Sequence, residues 1–432
     1  MKNITLLLYF ENFLRLISIL ISVLVASRLY SISEFGKISY LISLVAIANA
    51  VAEGGFGQLN LTKYQIFQNL NYPISSLFAV RIVSTLLVII IFNLITLFLP
   101  LSNDEKFLLS LSILISLFGF FILLRQDLIN NCKISFLLIA GISSSIITVA
   151  LKVTAAILQI APINYVFVSA ICICLSGLIY LIPFIKPKLD ANKYSHLKNS
   201  ITNRFKSSFS LLSLNFSIKS LKPFYFASLA SVLFTYSDIL ILKLYTTFDI
   251  IAFYSLCQQF CGAVISFSPS IISIYASKEF LKKKFGMLSM SQLPTNCMHK
   301  YLRNTLLLSS VVFSLCGLLL LLLINIFILQ SNYNYSVYYF SLSIPLILMT
   351  FFQQGFCLLL QILKLEKFIY LISFAALSLN IIINFTIIPI IGAVGAIIST
   401  TIAIPLSLII PLLNRPSRSD YLDALSSYSL QW

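Results

Sequence analysis

Residues 12–57 constrain the chain most: NFLRLISILISVLVASRLYSISEFGKISYLISLVAIANAVAEGGFG reads as two membrane-spanning helices that carry polar and ionisable groups within apolar runs. In the first, Glu11, Arg15, Ser18 and Ser22 recur at steps of four, three and four and share one helical face. In the second, Ser39, Ser43, Ala46, Ala50, Glu53 and Gly57 form a narrow stripe of small and polar residues. Lipid tails cannot satisfy such faces, so the two stripes predict either a wet interior or tight helix packing. The connection between the two helices is expected as a short outer turn over Ser31–Gly36.

The rest of the chain fits a membrane solvent. Of its 432 residues 59% are hydrophobic and only 10% charged, against about 25% charged in soluble domains. The mean hydropathy is +0.99. A span needs about 20 apolar residues, and the long uninterrupted runs are unlike the alternating strands of outer-membrane barrels. Twelve spans are predicted, near 4–28, 38–62, 74–99, 107–129, 136–160, 163–185, 223–246, 250–276, 304–329, 334–363, 368–388 and 391–413. The expected architecture is all-α and polytopic, with an N-lobe over 1–185, a basic cytoplasmic linker over 186–222, a C-lobe over 223–413 and a cytoplasmic tail over 414–432.

Charge placement sets the orientation. With both termini cytoplasmic, 22 of the 29 Lys and Arg fall in inner segments, Arg15, Arg81 and Lys152 lie within spans, and only Arg28, Lys37, Lys106 and Lys243 face outward. The net charge of +16 follows from the same bias, so anionic headgroups rather than nucleic acid are its expected counterpart. The first apolar segment is too long for a cleavable signal peptide and lacks a small-residue cleavage site, so it is expected as the first span. The eight cysteines lie in apolar or cytoplasmic contexts and predict no disulfide framework. Cys257 and Cys261, one helical turn apart with no nearby His, are expected as small packing residues, and no metal site is predicted.

Several intramembrane residues ask for partners. Arg81 stands seven residues past the start of its span, where its side chain either lines a cavity or reaches the inner interface. Gly141, Ser145, Thr148, Lys152, Ala156 and Gln159 share a face of the fifth span, with Lys152 either facing a cavity or pairing with Glu53. In the seventh span Ser228, Ser231, Thr235 and Asp238 repeat the opening device. Gln259 and Gln354 sit on polar stripes of the eighth and tenth spans, and the eleventh adds Asn380 and Asn384. Pro269 is expected to kink the eighth span. IGAVGAIIST, with Gly392, Gly395 and Ala396, predicts close backbone contact between the last two spans.

RLYSISEFGKISYLISLVAIANAVAEGGFG resembles the signature of polysaccharide-exporting flippases, with its Glu-Phe-Gly turn leading into a helix that ends in Gly-rich sequence. YSDILILKLYTTFDIIAFYSLCQQF resembles the same family's Asp in helix 7 and Tyr-Ser start of helix 8, with Ala252 where a Gly is common, and IGAVGAIIST its entry to the last helix. The chain is similar, on these residues, to Wzx-type O-antigen flippases of the polysaccharide transporter family within the multidrug/oligosaccharidyl-lipid/polysaccharide superfamily. That resemblance implies two six-helix lobes around a central cavity, a MATE-like fold, and alternating access. It implies as substrate an undecaprenyl-diphosphate-linked oligosaccharide, moved across the inner membrane toward lipopolysaccharide or other polysaccharide biosynthesis, alongside membrane lipids and other polysaccharide assembly proteins.

The residues suit such a task. A diphosphate and sugar hydroxyls need cations and polar stripes, so Arg15, Arg81, Lys152, Gln259 and Gln354 are the expected substrate contacts. Glu11, Glu53 and Asp238 are expected to couple movement to a proton or sodium gradient, with Glu11 also placed to pair with Arg15. The competing reading is a drug or cation exporter, which would favour an acidic and aromatic cavity. A membrane-embedded polymerase needs a sizeable outer loop or a carboxylate pair, and the chain has neither a DxD nor a Ser/His/Asp set; its two histidines, His196 and His299, lie in inner loops. The chain is therefore expected to be no enzyme and to carry no cofactor.

Overall fold

A computed structural model describes residues 2–53, 74–99, 101–117, 134–185, 211–275, 334–362 and 366–409. These residues form twelve helices: α1 Lys2–Leu29, α2 Ile32–Glu53, α3 Ile74–Phe98, α4 Asn103–Leu117, α5 Ile134–Ile157, α6 Pro162–Ile185, α7 Leu211–Tyr245, α8 Phe248–Tyr275, α9 Asn334–Leu342, α10 Ile344–Ile362, α11 Glu366–Ile391 and α12 Ala393–Ile409. Five of them are long and apolar enough to cross a membrane, six if the bent pair α9–α10 counts as one. The chain is a multi-pass helical membrane protein. Eleven of the twelve expected spans coincide with described helices; the span near 304–329, Arg125, Asp127, both histidines, the inner loop from Lys278 to Arg303 and the C-terminal tail lie outside the described residues.

Boundaries moved where local chemistry overrides hydropathy. The expected outer turn over Ser31–Gly36 shrinks, because α2 already begins at Ile32. Ser31 and Glu34 form a capping box: the Ser31 amide and hydroxyl donate to the Glu34 carboxylate at 3.1 and 2.8 Å, and the Glu34 amide donates back to Ser31 Oγ at 3.3 Å. Ser102 and Glu105 cap α4 in the same way. At the other end of α5, Gln159 takes a left-handed conformation with φ 47° while its amide bonds back to Ala156. Gln159 therefore lies beyond the helix and is exposed, off the polar face on which its spacing placed it. α7 extends twelve residues before its expected start, and α8 runs through Pro269 without a break. The expected tenth span is instead split at Ser343, where α9 and α10 bend by 43°.

The chain divides into two compact units. One holds Met1–Tyr30 and Lys37–Tyr236; the other holds Ser31–Gly36 and Ser237–Trp432. In the first, α1 packs on α5, α5 and α4 on α6, and α3 on α4. The Tyr30 hydroxyl donates to the Ile160 carbonyl at 2.8 Å and packs edge-on to the Tyr165 ring, tying the end of α1 to the connection after α5. In the second, α11 packs on α12, and α8 on α9 and α10. The close approach expected at IGAVGAIIST is present: Gly392 turns the chain with φ 58°, and a Cβ on Gly395 would stand 3.1 Å from the carbonyl of Ile387.

The polar stripes of α1 and α2 turn out to be packing surfaces. Ser18, Ser22, Ser39 and Ser43 are buried, and three of their hydroxyls bond to their own helix, Ser18 to Arg15 O, Ser22 to Ser18 O and Ser43 to Tyr40 O. They act as small residues that let helices approach.

Lys37 of α2 reaches the Glu105 carboxylate at 2.6 Å, both side chains about a quarter exposed. The Lys37 hydrogen bond, with help from Ser102, holds the Glu105 carboxyl below the usual carboxylate range. A depressed carboxylate contributes stability above its unfolded pKa and loses it as pH falls through the folded one. Glu105→Gln, which retains the capping geometry, is expected to cost under about 1 kcal/mol at neutral pH. Thermal unfolding in detergent should show the difference from wild type constant above the unfolded carboxyl's pKa and shrinking as the pH falls through the depressed folded one.

Candidate functional site

The most concentrated polar chemistry in the described chain lies within the second unit, around Asp238 of α7. Its carboxylate is 1% exposed and meets three helices. Tyr254 Oη of α8 donates to Oδ2 at 2.5 Å, Thr400 Oγ1 of α12 stands 2.9 Å from the same oxygen, and Asn384 Nδ2 of α11 donates to Oδ1 at 2.7 Å. A second layer orients these groups. Asn384 also donates to Asn380 Oδ1, which accepts from Ser237 Oγ at 3.3 Å, while Asn380 Nδ2 donates to Thr400 Oγ1 at 2.9 Å. The Thr400 hydroxyl has one proton for two acceptors, Asp238 and the Ala396 carbonyl at 2.8 Å.

Two features set this cluster apart. Among the described residues no Lys, Arg or His forms a salt bridge with Asp238, so neutrality inside the protein requires a proton or a bound cation. Asn384 Oδ1, moreover, is buried and accepts no hydrogen bond, a costly vacancy unless something positive faces it. Carboxylate, amide and hydroxyl oxygens are the donor set of a hard cation. No group of three or more His, Cys, Asp or Glu stands together among the described residues, so the cluster is unlike a zinc site.

The expected substrate contacts are more dispersed. In the first unit Lys152 is half-buried on α5, five residues before the end of its span Phe136–Ile157, with its ammonium near the Cys172 thiol of α6 and no carboxylate in salt-bridge range among the described residues. One side of its helix also carries Ser145, whose buried hydroxyl has no partner. Arg15 of α1 is exposed. Arg81, Glu11 and Glu53 are helical, but their side chains lie outside the described residues, which leaves the suggested Lys152–Glu53 and Glu11–Arg15 pairs there too. In the second unit Gln259 and Gln354 are half-buried, and Gln354 Oε1 is a further buried acceptor without a partner. On α7, Ser231 and Thr235 are exposed on the face that leads to Asp238.

Asp238, Asn380 and Asn384 were visible in the sequence as polar residues in apolar spans. Tyr254 lay in the Tyr-Ser start of helix 8 and Thr400 at the end of IGAVGAIIST, segments that carry the resemblance, but only the packing of α7, α8, α11 and α12 brings them to one carboxylate.

The chain is a polytopic helical membrane protein with a buried carboxylate cluster in one unit. No family model matches the chain, and no curated protein matches its sequence. Among solved structures it is similar to the lipid II flippase MurJ in an inward closed conformation, at 16% identity and a TM-score of 0.64 over 99% of this chain and 91% of that one. It is also similar to a multidrug resistance MATE family transporter of the MOP superfamily in an inward-facing conformation, at 11% identity and a TM-score of 0.56 over 95% and 96% of the two chains. A Vibrio cholerae MATE transporter, VcmN, is similar at 12% identity and a TM-score of 0.51, over 99% and 98%. The chain thus has the MATE-like fold of the MOP transporters along nearly its whole length.

Proposed function

We propose that the protein is a flippase that carries undecaprenyl-diphosphate-linked O-antigen or other polysaccharide repeat units from the cytoplasmic to the periplasmic leaflet of the inner membrane, by alternating access of two six-helix lobes divided at 186–222. It is placed with both termini cytoplasmic by its Lys and Arg distribution. The observation that carries the substrate class is Lys152, an ammonium held in an apolar span without a carboxylate partner among the described residues. Such a charge is retained where an anion visits it. Arg15 and Arg81 on α1 and α3 supply further cations suited to a diphosphate, and Ser145, Gln259 and Gln354 supply hydrogen-bonding groups for sugar hydroxyls.

Asp238 is proposed to couple transport to a cation gradient. Sodium is the proposed ion, supported by a buried carboxylate and by Asn384 Oδ1, a buried acceptor that takes no hydrogen bond. Glu11 and Glu53 remain further coupling candidates.

The test is complementation in a bacterium deleted for its own O-unit flippase, with surface polysaccharide and inner-leaflet lipid-linked units both measured. In the native strain, deletion is expected to remove surface polysaccharide. Wild-type protein should restore it, and Lys152→Gln or Arg15→Ala, expressed to equal levels, should restore less than a tenth as much. An intact polysaccharide with altered drug tolerance after deletion would instead establish the exporter reading.

A further inference from the structure

A cysteine pair lies on α8 within two turns of Tyr254 of the Asp238 site. Cys257 and Cys261 are 2% and 3% exposed, and their sulfurs stand 3.9 Å apart. Ser343 Oγ lies 3.4 Å from Cys257, at the break between α9 and α10. The spacing is wrong for a disulfide, which needs the sulfurs at about 2.05 Å, a distance one helical turn does not accommodate. It is right for one atom between them. A three-coordinate pyramidal centre bonded to both sulfurs holds them somewhat closer than this contact, so a small side-chain rotation of either cysteine closes the bridge.

Which centre fits is decided by ligand count and charge. Zinc needs four donors, and among the described residues no third His, Cys, Asp or Glu stands with the pair. A trivalent organoarsenical needs only two thiolates beside its own carbon. Its reaction is also neutral throughout: a dihydroxyarsine exchanges two As–O bonds for two As–S bonds, the two thiol protons leave with the hydroxyls as two waters, and nothing is oxidised or reduced. No net charge is then buried, so the low-dielectric surroundings that would oppose an ion do not oppose this adduct.

We propose that Cys257 and Cys261 form a binding site for a thiophilic trivalent arsenical, or another centre completed by two thiolates, beside the α9–α10 bend. Occupancy takes Cys257 from its contact with Ser343 and so acts where that bend is held.

The probe is phenylarsine oxide with the purified full-length protein in detergent. Wild type is expected to gain one phenylarsenic group per chain, to lose two alkylatable thiols, to keep the adduct through a wash with excess monothiol and to release it to a dithiol. Peptide mapping should place the arsenic between residues 248 and 275. Cys257→Ser and Cys261→Ser should each lower monothiol-resistant binding at least tenfold, with Cys172→Ser unchanged. Absence of a resistant adduct on wild type, or its mapping to another peptide, overturns the assignment without recourse to any variant. These readouts do not depend on transport, so they stand or fall apart from the flippase reading.

Discussion

Asp238→Asn is expected to abolish gradient-driven transport while leaving the protein folded. The two consequences separate because of how the site is wired. An amide at 238 keeps an oxygen for Asn384 Nδ2, and its nitrogen faces the hydroxyls of Tyr254 and Thr400, which rotate to accept as readily as they donate. The cluster remains hydrogen-bonded but loses its charge, and with it the reason to hold a cation. In proteoliposomes with a defined sodium gradient, transport of lipid-linked oligosaccharide should fall at least tenfold, and sodium should no longer raise the melting temperature of the purified variant. Transport by Asp238→Asn at wild-type rate and independent of the gradient would remove the coupling role from this residue. Wild-type transport that responds to a proton gradient alone, and is lost in Asp238→Asn, would assign the proton instead.

Gly36→Ala should damage the fold more than its size suggests. In the middle of a helix, replacing Gly by Ala ordinarily gains about 1 kcal/mol. At Gly36 the added carbon would fall on the carbonyl oxygen of Phe248, with the carbonyl carbon at 2.7 Å and the Ala252 amide nitrogen at 3.2 Å. These obstacles are backbone, not the far end of a flexible side chain. The start of α2 or of α8 must move, at a cost of about 1–3 kcal/mol. Gly262 in α8 is the internal control, since a Cβ there meets nothing within 4 Å. Melting temperatures in detergent should fall for Gly36→Ala and hold or rise for Gly262→Ala; equal responses would refute the close packing.

The Glu-Phe-Gly turn was legible as a motif before its physical reason was. The resemblance drew attention to Ser31–Gly36, yet only the structure shows Glu34 completing a capping box, Phe35 buried to 2% exposure and Gly36 admitting a neighbouring backbone. Long apolar runs announced most helices because lipid demands them. The split at Ser343 was hidden, because both halves are equally apolar and no hydropathy pattern records an angle. The site divided similarly. Asp238 declared itself as a carboxylate in an apolar span, whereas its partners come from helices up to 162 residues away in sequence. The spacing of Ser18 and Ser22 left a wet interior and tight packing both open, and packing is what the structure shows, because a serine hydroxyl in a helix is readily satisfied by its own backbone.

That last habit has a mechanical meaning. Ser18, Ser22, Ser43, Ser112, Ser144 and Ser169 each give their proton to a carbonyl three or four residues earlier in the same helix. Where helices meet through such residues, a displacement of an ångström breaks no interhelical hydrogen bond of theirs and trades one set of dispersion contacts for another. Around Asp238 the bonds run between α7, α8, α11 and α12 and would have to rupture together. The serine-lined surfaces thus behave as bearings and the carboxylate cluster as a rivet that pins four helices where the ion is proposed to sit.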